Sequence, residues 1–163
     1  PKYNLSQTRR HAGIMDALSE ANVPASNIRE IDYHTVFGST AESTSSYKPY
    51  EELFFPVNYT AVIGFNDLQS YSAMEILQKK GYRIPEDISL ISFDHLRKTH
   101  TYLPPLTSIA DNSEKSIADT AVSILLDKIR NPSSEISSKV LPVSIFDGHT
   151  TGPINETFAH SFE

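Results

Sequence analysis

The chain of 163 residues carries 14 Lys and Arg against 20 Asp and Glu, a formal net charge of −6, and has no cysteine. That length suffices for one ordinary core. The acidic balance leaves no basic stripe to neutralise nucleic-acid phosphates, and the lack of thiols excludes a disulfide framework, a thiolate metal site and a cysteine nucleophile. No apolar run approaches the roughly 20 residues of a membrane span and no signal peptide is visible, so the sequence reads as cytoplasmic. It opens at Pro1-Lys2-Tyr3 without an initiator Met, as though cut from something longer.

In chain order, Ser6 offers a helix cap, and Ala12, Ile14, Met15, Leu18 and Ala21 form an apolar stripe that stops at Asn22-Val-Pro24, predicting a helix over about residues 6 to 21. Ile28 to Tyr33 reads as a strand, and Phe37 to Ser46 as a small, polar loop of the kind that carries binding residues. A weaker helix over Tyr47 to Phe55 ends at Pro56. Thr60 to Phe65 and Ile88 to Phe93 are short, apolar and rich in β-branched or aromatic residues, as strands buried in a parallel sheet are. Between them Leu68, Tyr71, Met74 and Leu77 mark one helix face, with Asp67 as a cap and Gly81 as a left-handed stop.

Leu103-Pro-Pro-Leu106 forbids helix and predicts an extended crossing segment through Ile109. Asp111 with Glu114 resembles a capping box at the head of a strong helix reaching Arg130, and Val140 to Phe146 reads as a final edge strand because Pro142 lies within it. From Asp147 onward nothing is periodic, and the tail is expected to be poorly ordered. The alternation predicts an α/β fold with a parallel sheet and helices on both faces in Rossmann-like layers, incomplete at its N-terminus. In such sheets ligands bind beyond the carboxyl ends of the strands, where Asn66-Asp67 and Asp94-His95 stand. The same residues also suit plain roles: a helix cap for Asn66 and Asp67, a turn for Asp94.

No Gly-rich phosphate loop, nucleophile elbow or paired metal-ligand histidine spacing is present, so no catalytic residue, metal or cofactor is assigned, and an enzyme is not expected. The three Asn-X-Ser/Thr matches carry no weight in so Ser- and Thr-rich a chain.

Three segments together carry a resemblance: Arg10-His-Ala-Gly13 with Met15-Asp-Ala-Leu18; Ala61-Val-Ile-Gly-Phe-Asn-Asp67; and Gly81-Tyr-Arg-Ile-Pro-Glu-Asp-Ile-Ser-Leu-Ile-Ser-Phe-Asp94, continued by Leu103-Pro-Pro-Leu-Thr-Ser-Ile109. In order and spacing they resemble the effector-binding domain of the LacI/GalR family of bacterial transcription regulators. The likeness runs from Pro1 to about Gly152. It implies a fold similar to periplasmic sugar-binding proteins, two α/β subdomains with a ligand cleft between them. Residues 1–106 would belong to the second subdomain, 107–131 to a crossover and helix of the first, 132–152 to a strand returning to the second, and 153–163 to a disordered tail.

The resemblance further implies that Arg10, Asn66, Asp94 and Asp111 contact a small-molecule effector, a sugar or sugar phosphate, with Phe37 as the aromatic face. Fork and carboxylate groups suit neighbouring hydroxyls, although Asp111 equally suits a helix cap and Arg10 a surface ion pair. Tyr71 and Tyr102 would lie in a homodimer interface. DNA would be bound only through a module absent from this chain, and the apolar stripe of the last helix would be exposed, swapped or buried in an oligomer contact. The alternative of the same fold is a periplasmic sugar-binding protein serving an ABC transporter.

Overall fold

In a computed structural model, the structure describes residues 5–31, 52–96, 104–112, 116–135 and 138–162. Four strands, β1 (Ala61–Ile63), β2 (Ser89–Phe93), β3 (Thr107–Asp111) and β4 (Val143–Phe146), form one sheet in that order. β1, β2 and β3 run parallel, with Val62 opposite Leu90 and Ser92 opposite Ser108, whereas β4 pairs antiparallel to β3. The segment expected to begin a crossover at 107 thus belongs to this same sheet. β4 takes the edge position expected of it, starting just after Pro142.

The helix joining β1 to β2, α2 (Asp67–Lys79), forms the core. Its Met74 and Leu77 are fully buried against Ile88 and Leu90, each such side chain contributing about 2 kcal/mol of transfer free energy. Tyr71, Met74 and Leu77 lie on the buried face as expected, joined by Ser70, Ala73 and Ile76, whereas Leu68 is exposed. The cap is Asn66, whose Oδ1 accepts from the Gln69 amide at 2.9 Å, and not Asp67. Gly81 ends the helix at φ 91°, with the Tyr82 amide donating to the Leu77 carbonyl.

The first helix, α1 (Leu5–Glu20), closes at left-handed Asn22, where the Val23 amide returns to the Leu18 carbonyl. Its Arg10 lies over the ring of Phe93, a residue that alternates with the α2-facing Leu90 and Ser92. The two helices therefore lie on opposite sides of the sheet. After α1 a single 3-10 turn, Ala25–Asn27, leads into residues 28–31, which pair with no strand among the described residues. Charged Arg29 and Glu30 interrupt the apolar positions there, and Arg29 donates to the carbonyls of Leu53, Phe55 and Pro56. Of the helix expected over Tyr47 to Phe55, residues 52–53 are helical and residues before 52 lie outside the description.

The last long helix is α3 (Ile117–Arg130), which starts six residues later than Asp111 would place it. Ser116 caps it, its Oγ accepting from the Asp119 amide at 3.1 Å. The Asp111–Glu114 spacing mimics a capping box, but Asp111 is held in β3 opposite Val143. No α3 residue is buried, and Ile117, Val122, Leu125 and Ile129 leave an apolar stripe exposed.

The expectation of a disordered tail is corrected. The segment after β4 turns back along the amino end of the sheet, where the Thr150 carbonyl accepts from the Leu90 amide at 2.7 Å and its hydroxyl donates to the Leu90 carbonyl at 2.6 Å. The Thr107 amide donates to that hydroxyl at 2.8 Å. A short helix, α4 (Glu156–His160), then packs Phe158 edge-on against Tyr82 with 5.9 Å between centroids. Aperiodic sequence hid this because single hydrogen bonds and one aromatic ring, rather than a repeating stripe, anchor it.

Candidate functional site at the strand ends

The carboxyl ends of β1, β2 and β3 lie side by side because the strands are parallel. β1 runs through Gly64 to Phe65 and Asn66. A Cβ on Gly64 would come within 1.7 Å of the Ser70 hydroxyl, so glycine is what allows α2 to start so close to the sheet. β2 runs into Asp94 and His95, both left-handed at φ 97° and 47°. For residues other than glycine such conformations cost about 1 to 3 kcal/mol each.

A set of polar contacts holds that turn. The Asp94 amide donates to the Ile109 carbonyl at 3.0 Å and the His95 amide to the Ser108 hydroxyl at 3.0 Å. The Leu96 amide donates to Asp67 Oδ2 at 2.5 Å, and Ser108 donates to Asp67 Oδ1 at 2.8 Å. Asp67 and Ser108 are both buried. One carboxylate thereby joins the head of α2, strand β3 and the exit of β2. The His95 ring stacks on Phe146 of β4 at 4.1 Å between centroids and 15° between planes.

Into this edge α1 delivers Arg10. Its Nη2 donates to Asp94 Oδ1 at 2.6 Å and its Nη1 to the Phe65 carbonyl at 2.8 Å. The guanidinium carbon lies 5.1 Å from the Phe65 ring centroid and 4.9 Å from that of Phe93. Two aromatic faces and a carboxylate fix the fork in direction. Both charged side chains keep partial exposure, 27% for Arg10 and 38% for Asp94. Asp111 ends β3 on the same edge, half-buried, beside Asn112, whose amide donates to the Ser144 hydroxyl.

Arg10, Asn66, Asp94 and Asp111 thus stand on one edge, with Arg10 and Asp94 in direct contact and Asn66 engaged as a helix cap. Phe37 and Tyr102 lie outside the described residues. Tyr71 is in the core at 6% exposure, against the backbone of Leu106, and burial raises its phenol above the ordinary value. Its ring is consumed within the subunit and offers little surface to a second one. The sequence reading missed Phe65 and Phe93 as guanidinium partners. The signal was present in the parallel endings Gly-Phe-Asn-Asp and Ser-Phe-Asp, an aromatic preceding the polar residue at each strand exit. Among the described residues, no group of three or more His, Asp or Glu is arranged to hold a metal, and no helix is long and apolar enough to cross a membrane.

The sequence matches the periplasmic binding protein-like domain over residues 2–151. The chain belongs to that family. Within it, the likeness is to LacI/GalR-type effector-binding domains. The HTH-type transcriptional repressor PurR of Aliivibrio salmonicida is 34% identical over 124 residues, which are 76% of this chain and 35% of that protein. Among solved structures, a LacI family transcriptional regulator from Enterococcus faecium with bound ribose superposes with a TM-score of 0.75 at 26% identity, over 91% of this chain and 53% of that one. The dimeric lac repressor with an 11-residue C-terminal deletion gives 0.71 at 25% identity, over 93% and 53%. The chain spans about a third of the length of the curated relatives it matches.

Proposed function

We propose that this chain is the ligand-sensing part of a DNA-binding transcriptional regulator, and that a sugar-type effector binds at the strand-end edge. The observation that carries the reading is the Arg10–Asp94 pair, set over Phe65 and Phe93 where a parallel sheet presents its ligands. The relatives named above are transcriptional regulators, which favours this reading over a transport protein of the same fold. On this reading the effector binds one arrangement of the complete regulator better than another and shifts its affinity for DNA by that difference. The chain performs no catalysis, the regulator acts in the cytoplasm as a homodimer, and DNA contacts come from a module outside these residues.

Calorimetric titration of the complete regulator with a panel of sugars and sugar phosphates, beside an Asp94→Ala variant, tests the assignment. Binding that the variant loses while keeping its melting temperature supports the site. Equal binding by the variant, or no binding across the panel, rejects it.

A further inference from the structure

Resting on the ligand-sensing reading above, we propose that Asp67 is a positioning residue of the strand-end site, buried itself and holding Asp94 where an effector meets it. At 2% exposure Asp67 cannot touch a ligand at that edge. Its influence runs through the turn that follows β2. Asp94 and His95 stand there at φ 97° and 47°, a left-handed pair that residues with a side chain adopt only where the surroundings impose it.

Three consecutive amides with three separate acceptors impose it. The Asp94 amide donates to the Ile109 carbonyl, the His95 amide to the Ser108 hydroxyl and the Leu96 amide to Asp67 Oδ2. The first acceptor is the backbone of β3. The other two are side chains joined to each other, because the Ser108 hydroxyl donates to Asp67 Oδ1 at 2.8 Å. A hydroxyl that accepts from His95 still has its proton to give, and the carboxylate takes it on one oxygen while accepting from Leu96 on the other. Asparagine would offer one oxygen to those two donors.

Asp67 is itself well anchored. It lies in the first turn of α2, which Ser70 ties to β2 through the buried Ser92 hydroxyl at 2.8 Å. The turn therefore rests on both α2 and β3, and the direction of the Asp94 carboxylate, with its 2.6 Å bond from Arg10, follows from that footing. A group already fixed in its binding direction spares a ligand the cost of ordering it. Without the strut the turn relaxes toward ordinary backbone angles and the Asp94 carboxylate leaves its place beside Arg10.

The test compares Asp67→Asn and Ser108→Ala in the complete regulator, well below every melting temperature, with Phe158→Ala as a control that loosens α4 against Tyr82 instead. Without ligand, amide hydrogen exchange at His95 and Leu96 should quicken about tenfold or more in the two turn variants, relative to the core Leu77 amide, and stay unchanged in the control. Titration with ribose, glucose and their phosphate esters should give affinity about tenfold weaker in the two turn variants and equal to the parent in the control. Exchange as slow as in the parent overturns the strut. Faster exchange with unchanged affinity, or an equal loss of affinity in the control, overturns the positioning role and leaves the site standing. A parent that binds none of the four compounds overturns the ligand-sensing reading and the positioning role with it.

Discussion

Asp67 and Ser108 meet at 2.8 Å in the interior, 41 residues apart in sequence, and their contact fixes the edge on which Arg10 and Asp94 stand. Replacing Asp67 by Ala would strip the Leu96 amide of its acceptor and leave the Ser108 hydroxyl without its carboxylate. A destabilisation of about 2 to 4 kcal/mol is expected, since hydrogen bonds to a charged group contribute roughly 1.5 to 3 kcal/mol each and the Ser108 hydroxyl is buried away from solvent, whereas the Leu96 amide is only part-buried. Thermal melting of the two proteins measures it. Asp67→Asn, which retains one acceptor, should fall between them.

Gly64→Ala should be destabilising by about 1 to 3 kcal/mol, because the added methyl meets the buried Ser70 hydroxyl and displaces the head of α2. A denaturant midpoint shift with unchanged slope would show it. Pairing it with Ser70→Ala should recover part of the loss, and full additivity of the two losses would contradict the contact.

The acid limb of stability should depend on Asp87. The Arg83 fork, at 2.9 and 2.5 Å, and the Asn155 amide at 3.2 Å hold its carboxyl down at about 2 against an ordinary 3.8. A lowered acid favours the folded state above the ordinary value, so the contribution is complete above pH 3.8 and drains away as pH falls toward 2. Arg83 is 63% exposed and solvent screens the pair, so the gain is small. Arg83→Ala should flatten the loss of stability across that acid window and leave the neutral-to-alkaline profile parallel to the parent.

At the alkaline end Tyr59 should titrate late. Burial outweighs the nearby Arg29 and pushes its phenol up to about 12 from 10.0, while its hydroxyl donates to the Phe54 carbonyl at 3.0 Å. The folded state therefore keeps a proton the unfolded state loses, and stability falls as pH climbs from 10 toward 12. Ultraviolet titration of phenolate, with Tyr59→Phe as the reference, should show the wild-type protein retaining one late-ionising phenol that the variant lacks.

The β1–α2–β2 unit is legible in sequence because every boundary carries a local signal: an apolar run, Asn66 before the helix and Gly81 after it. α3 is misplaced at its start because two different residues offer the same capping chemistry. Whether Asp111 or Ser116 serves depends on β4 pairing with β3, a contact the local sequence does not contain. At the site, Arg10 and Asp94 lie 84 residues apart and no spacing connects them, so only the family resemblance pointed to both. The Asp67 brace had no sequence signal at all, since an acidic residue at a helix start reads as a dipole partner whether or not it reaches a distant serine.

Thr150 has a consequence for how the chain assembles. It bridges Leu90 in β2 and Thr107 at the start of β3, 60 and 43 residues upstream, with hydrogen bonds to both. During synthesis, β2 and β3 emerge long before the residue that completes their amino ends. Closure of so distant a contact is slow relative to local helix formation. Until residue 150 leaves the ribosome, the amino ends of β2 and β3 lack the hydrogen bonds that Thr150 brings to Leu90 and Thr107.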